Sequence, residues 1–225
     1  MTWVKICANT SAADAKLAAE LGADAVGFVF AASKRQVNAE QVAAITSQLP
    51  ESVERIGIFA TDNAAEIIAA VSASGLSGVQ MHGAVRPALI AALNEAFEGR
   101  VRLIQVVGFE SGGEDAFESA LRAAVAQPAI DAVLLDAVKS GASGGLGVTF
   151  DWETAQRIVA RVWAETATEV KLIVAGGLRP ENVAAAIGCF APYGVDVASG
   201  TEASPGKKDP ARLGAFLRNV RSAKS

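Results

Sequence analysis

A cysteine, an aspartate, an arginine and two glycine-bearing turns are the residues of this 225-residue chain best suited to chemistry. Cys7 follows the apolar run Val4-Lys5-Ile6, and Asp136 follows Val133-Leu134-Leu135. A deprotonated thiol is a base and a carboxyl that keeps its proton is an acid, so together they could move protons. Arg35 offers the planar fork that matches a carboxylate. Gly176-Gly177 and Ser199-Gly200 each follow a short apolar run. Glycines there let backbone N–H groups approach an anion, and a helix start behind them adds a favourable dipole. His82 is the single histidine and closes Gly78-Val79-Gln80-Met81.

Each residue also has a plain reading. A buried cysteine is most often a small inert hydrophobe, and this holds for Cys189 in particular. The glycines could mark tight turns, Arg35 a solvated charge, and His82 a hydrogen-bonded wall residue. Asp136 is hardest to dismiss, because a carboxylate ending an apolar run must face an open mouth or meet a desolvation cost. Taken as a set, a phosphate anchor, a thiol, a carboxyl and a guanidinium fit proton transfer on a phosphorylated substrate that bears a carboxylate. The glycine-rich stretch Ser143-Gly144-Gly145-Leu146-Gly147 reads equally as a linker or as a lid beside the phosphate.

Composition narrows the field. The net charge of −4 and a sequence pI near 5.2 argue against a nucleic-acid footprint. One histidine and no Cys-x-x-Cys pair make a metal centre of the usual type a poor fit. Lys5 is the only strand-end lysine this reading finds, which weakens the case for Schiff-base chemistry. Two cysteines make no disulfide framework, the first residues form no signal peptide, and no apolar run reaches the length of a membrane span. The expectation is a cytoplasmic protein acting on a small molecule, with no membrane and no nucleic-acid partner. A monomer is the expected assembly, although no residue fixes it.

The elements that must position these residues alternate regularly. Eight apolar runs begin near Val4, Ala25, Arg55, Gly78, Arg102, Ala132, Lys171 and Gly194. Their continuous apolar character suits parallel strands buried on both faces. Amphipathic helical patterns lie between them. The first spans about Ser11 to Leu21, with Gly22 as its stop; Asn38 with Gln41 and Asn63 with Glu66 read as capping boxes. Pro87, Pro180 and Pro210 fall where a first helical residue is expected. With 51% hydrophobic and 20% charged residues a packed core is available. An open doubly wound sheet competes, but Cys7-Ala8-Asn9-Thr10 stands where its glycine fingerprint would follow the first strand. The chain therefore reads as one α/β domain over residues 1–225, a closed (β/α)8 barrel of TIM type with its site at the C-terminal strand ends.

Lys5-Ile6-Cys7, Ala25 to Phe30, Ser33-Lys34-Arg35 and Val79-Gln80-Met81-His82-Gly83 now form a series. Leu135-Asp136, Gly144 to Gly147 with Phe150-Asp151-Trp152, and Ala175-Gly176-Gly177-Leu178 with Pro180 to Val183 continue it. Gly194-Val195-Asp196-Val197, Ser199-Gly200 and Ser204 to Asp209 complete it. In this order the segments resemble the phosphoribosylanthranilate isomerase family over nearly the whole chain. The resemblance implies an isomerase of tryptophan biosynthesis that needs no cofactor or metal. Its reaction is the Amadori rearrangement of N-(5′-phosphoribosyl)anthranilate to 1-(2-carboxyphenylamino)-1-deoxyribulose 5-phosphate.

Carried over, Asp136 is the general acid, Cys7 the general base and Arg35 the holder of the anthranilate carboxylate. His82 and Asp196 belong to the substrate site, and Gly145, Gly147, Gly176, Gly177, Ser199 and Gly200 to the phosphate site. These roles call for a raised Asp136 and a lowered Cys7, the latter aided by Lys5 or a nearby N–H. The family usually has glycine after the cysteine, then a hydrophobic residue and threonine. Here Ala8-Asn9-Thr10 restricts the backbone and brings a polar group near the thiol.

Related phosphate barrels of tryptophan and histidine synthesis are the enzymatic alternatives. Indole-glycerol-phosphate synthase relies on a lysine acid not found here, and the dual-substrate isomerase uses an aspartate where this chain has Cys7. A barrel that merely binds a phosphorylated metabolite is the alternative of another class, and it would need neither proton carrier.

Overall fold

The computed structural model describes residues 1–137 and 151–223. Strands β1 (Trp3–Ile6), β2 (Ala25–Val29), β3 (Glu54–Phe59), β4 (Gly78–Met81), β5 (Arg102–Phe109), β6 (Ala132–Ala137), β7 (Lys171–Val174) and β8 (Gly194–Val197) are parallel neighbours in chain order. β1 pairs with both β2 and β8, with Lys5 opposite Ala25 on one side and Asp196 on the other, so the sheet closes into a barrel. Closure leaves no edge strand exposed.

Helices follow the strands: α1 (Ala12–Glu20), α2 (Ala39–Thr46), α3 (Ala64–Ser74), α4 (Pro87–Phe97), α5 (Glu114–Val125), α6 (Trp152–Thr166), α7 (Val183–Phe190) and α8 (Pro210–Ser222). None of the described helices is long and apolar enough to cross a membrane. The capping signals mostly hold. Asn38 and Gln41 form the full reciprocal box, and Pro87 and Pro210 sit in the first turns of α4 and α8. Asn63 caps the amides of Ala65 and Glu66, but the Glu66 carboxylate accepts from the Thr61 hydroxyl at 3.1 Å instead of closing a box. Pro180 does not open α7. It lies in a turn closed by Asn182, whose Oδ1 accepts from the Arg179 amide at 2.8 Å and whose Nδ2 donates to Gly177 O at 3.0 Å. The side chain of Asn182 therefore shapes the turn, and the helix starts at Val183.

Alternation along each strand decides which side chains enter the barrel. Val4 and Ile6, Val133 and Leu135, and Val195 and Val197 pack with the helices in the outer core. Ile104, Val106, Ala132, Leu134, Ile173 and Ala175 form a separate inner cluster. Counting in twos from these residues turns Cys7, Asp136 and Asp196 into the barrel. The same count turns Lys5, Gln80 and His82 inward as well.

One addition was not expected from the sequence. After β8 a 3₁₀ turn (Ser199–Thr201) leads to a small antiparallel hairpin, β9 (Glu202–Ser204) and β10 (Lys207–Lys208), before α8.

Candidate active site

Cys7 and Asp136 line one pocket of about 170 Å³ at the C-terminal mouth of the barrel, together with Arg35, Gln80, His82 and Asp196. Room for the thiol comes from β2. A Cβ on Gly27 would stand 2.8 Å from Cys7 Sγ and 3.1 Å from its Cα, so glycine there clears space for the cysteine. A smaller pocket of about 50 Å³ shares Asp136 and Asp196 and is lined by Gly176, Gly177 and Ser199.

The loop after β7 leaves two amides open toward the smaller pocket. Gly176 and Gly177 have φ of 79° and 66°, and their amides find no acceptor among the described residues. A Cβ on Gly176 would meet Ala137 N at 2.6 Å. Gly200 does not line either pocket; a Cβ there would lie 1.9 Å from Leu178 O, so its part is to let the loops after β7 and β8 touch. The helix expected to start at Pro180 starts instead at Val183, and a 3₁₀ turn of three residues begins at Ser199 beside the smaller pocket. Gly145 and Gly147 lie outside the described residues.

The electrostatics agree with the sequence for the acid and reverse it for the base. Burial, reinforced by Asp196, pushes the Asp136 carboxyl up to about 6. That places it where a carboxyl can act as an acid near neutrality. Cys7 was expected to be lowered, yet its thiol is pushed up. Burial is the largest cause and Asp196 adds to it, outweighing the lowering by Lys5 and Lys208. Lys5 is fully buried and its Nζ is 2.7 Å from Asp196 Oδ1, so much of its charge is committed before it reaches the thiol. Burial and Lys5 together hold His82 below the ordinary histidine range, so it is neutral at pH 7. Its Nε2 lies 3.2 Å from Gln80 Nε2.

Arg35 and Asn9 both have partners within the protein. Arg35 is no free clamp. Its Nε donates to Glu202 Oε1 at 2.8 Å and its Nη2 to Oε2 at 2.6 Å, a bidentate pair that sets the plane of the guanidinium. Asn9 is fully buried and turns away from the pocket, with Nδ2 donating to Ile6 O at 2.7 Å and to Gly27 O at 3.3 Å. It braces the first loop. Ala8 has φ of 63°, the left-handed conformation that glycine adopts without strain.

Glu202 and Lys208 were missed as site residues by sequence reasoning. Only Ser204-Pro205-Gly206-Lys207-Lys208, a turn sequence between charged residues, hinted that a hairpin could carry them inward.

A family model for N-(5′-phosphoribosyl)anthranilate (PRA) isomerase matches residues 4–219. The N-(5′-phosphoribosyl)anthranilate isomerase of Pelobacter propionicus is 40% identical, with the alignment covering 100% of this chain and 98% of that protein. The crystal structure of phosphoribosyl anthranilate isomerase from Thermotoga maritima superposes with a TM-score of 0.82 at 35% identity, covering 98% of this chain and 99% of that one. A phosphoribosyl anthranilate isomerase in complex with reduced 1-(o-carboxyphenylamino)-1-deoxyribulose 5-phosphate gives a TM-score of 0.79 at 34% identity, with the same coverage.

Proposed function

The chain belongs to the N-(5′-phosphoribosyl)anthranilate isomerase family of tryptophan biosynthesis, and from that premise we propose how its own residues carry out the rearrangement. The single observation that carries the proposal is that Cys7 and Asp136 open on one pocket contiguous with the glycine turns.

The substrate phosphate binds at Gly176, Gly177 and Ser199, with Gly200 keeping the two loops in contact and Gly145 and Gly147 as further holders. Arg35 receives the anthranilate carboxylate. Its Nε–Nη2 edge is taken by Glu202, so the substrate meets Nη1. His82 and Gln80 form the polar wall, and Asp196 keeps the Asp136 proton in place by repulsion between carboxylates.

Asp136 then transfers its proton to the furanose ring oxygen. The C1′–O bond breaks, and the lone pair of the anthranilate nitrogen forms the C1′=N bond of an iminium. The Cys7 thiolate removes the C2′ proton, and that electron pair returns to nitrogen through a new C1′=C2′ bond. The resulting enolamine tautomerises to the 2′-ketone. The substrate's own nitrogen supplies the electrons, so the steps balance without an external electron sink.

Because the acid titrates near 6 and the base above the usual thiol value, the productive form carries its protons in reverse order. The product of protonated Asp136 and thiolate Cys7 is constant between the two values and falls on either side. The profile of kcat/KM against pH is therefore a flat-topped bell whose acid limb lies near 6. Continuous loss of substrate fluorescence with freshly made phosphoribosylanthranilate tests this. An absence of turnover across the whole pH range would reduce the chain to a binding barrel, whereas a monotonic profile would remove one of the two proton carriers.

A further inference from the structure

We propose that the β9–β10 hairpin is a positioning unit of the active site, in which Glu202 sets the plane of Arg35 and Lys208 holds Cys7, so that carboxylate clamp and base share one frame.

Both residues are almost completely buried, Glu202 at 5% exposure and Lys208 at 2%. Glu202 grips Arg35 with both oxygens and also accepts from the Gly206 amide at 3.2 Å. Lys208 Nζ donates to Cys7 O at 2.5 Å and lies 3.7 Å from Glu202 Oε1. A single chain of contacts thus runs from Arg35 through Glu202 and Lys208 to the strand end that carries the thiol. The hairpin is itself anchored: the Thr10 hydroxyl donates to Gly206 O at 2.6 Å, and the Lys208 amide donates to Asp14 Oδ2 at 3.1 Å.

Folding alone gives little reason for this arrangement. Burying a lysine and a glutamate carries a desolvation cost that their mutual attraction offsets only in part. What the charges do is act on the site. The groups that face the Cys7 thiol are Lys5 on β1, Asp196 on β8, Arg35 in the loop after β2, Asp136 and His82 across the pocket, and Lys208 on β10. Lys5 is paired with Asp196 at 2.7 Å; Lys208, whose own pKa burial pulls down while Glu202 opposes the fall, is the second cation that favours the thiolate.

The proposal rests on Cys7 as base and Arg35 as clamp, and the experiment separates its failure from theirs. In a Cys189→Ala background, the Cys7 thiolate is titrated by its ultraviolet absorbance, and kcat and KM are measured on the same preparations. Lys208→Met is expected to raise the thiol pKa by roughly one unit. Since the thiolate fraction below the pKa then falls about tenfold, kcat should fall about three- to tenfold with KM nearly unchanged. Lys208→Arg should restore most of both. Glu202→Gln is expected to raise KM severalfold by freeing the plane of Arg35. Should Lys208→Met not fold, Lys208→Gln takes its place; loosened packing alone would hydrate the buried thiol and lower its pKa, so a rise in either variant reports the lost cation. An unchanged titration in Lys208→Met, or an unchanged KM in Glu202→Gln, overturns the proposal. Turnover by Cys7→Ser would overturn the base assignment and leave the titration readout intact.

Discussion

At the scale of single residues the site holds a conflict between folding and chemistry. Asp136 is useful because burial keeps its proton on, and the same burial makes its charged form expensive. Its pKa in the folded chain, about 6, is above the ordinary value of 3.8. The folded state therefore binds the proton more tightly than the unfolded state does. The contribution of Asp136 to stability is most favourable below 3.8, declines as pH rises toward 6, and carries the full penalty above that. Asp136→Asn should consequently abolish most turnover and yet raise unfolding free energy at pH 8 by about 2–3 kcal/mol, a gain that vanishes near pH 4. Urea melts at the two pH values check this, and an equal effect at both would show that desolvation is not the cause. Cys7→Ser replaces the base with a hydroxyl that does not ionise in this range. Turnover should drop by about 10²–10⁴-fold while affinity for a product analogue is kept. Near-normal rates would move the base elsewhere.

Among the elements, the helix ends carry strain that the active site does not require. α6 and α7 both terminate on an alanine in the left-handed region, Ala167 with φ of 47° and Ala191 with φ of 42°. Glycine is the usual residue at such caps, because an L side chain there crowds the following carbonyl. Ala191→Gly should therefore stabilise the protein by about 0.5–1 kcal/mol, seen as a higher denaturation midpoint with unchanged kinetics. A lower midpoint would mean that chain entropy outweighs relief of strain. The glycine turn proposed to hold the phosphate obeys the opposite logic. Gly176→Ala would drive a methyl to within 2.6 Å of Ala137 N while φ stays at 79°, so the turn must shift. Its cost should fall on KM more than on kcat, because the phosphate is bound alike in ground state and transition state.

For the whole molecule, closure and function meet at the seam between β1 and β8. Lys5 and Asp196 face each other across that seam and form a buried ion pair of 2.7 Å. Lys5→Met would leave a buried carboxylate without its partner, a change that costs about 3–5 kcal/mol. Thermal unfolding should show the loss directly; a variant as stable as the parent would mean Asp196 takes up a proton or another donor. The barrel itself was legible in the chain, because continuous apolar strand runs and period-3.6 helices depend on local side-chain pattern, and strand-end rules then pointed to Cys7, Asp136 and the glycine turns. Sequence also carried the Asn38 box and the prolines of α4 and α8, all of which act within a few residues. It did not reveal the direction of the Cys7 shift, the engagement of Arg35 or the hairpin that reaches both. Lys208 lies 201 residues along the chain from Cys7, and Glu202 lies 167 from Arg35. Such pairings depend on how loops pack across the barrel mouth, and burial, which decides the proton affinities, exists only once the chain has closed on itself.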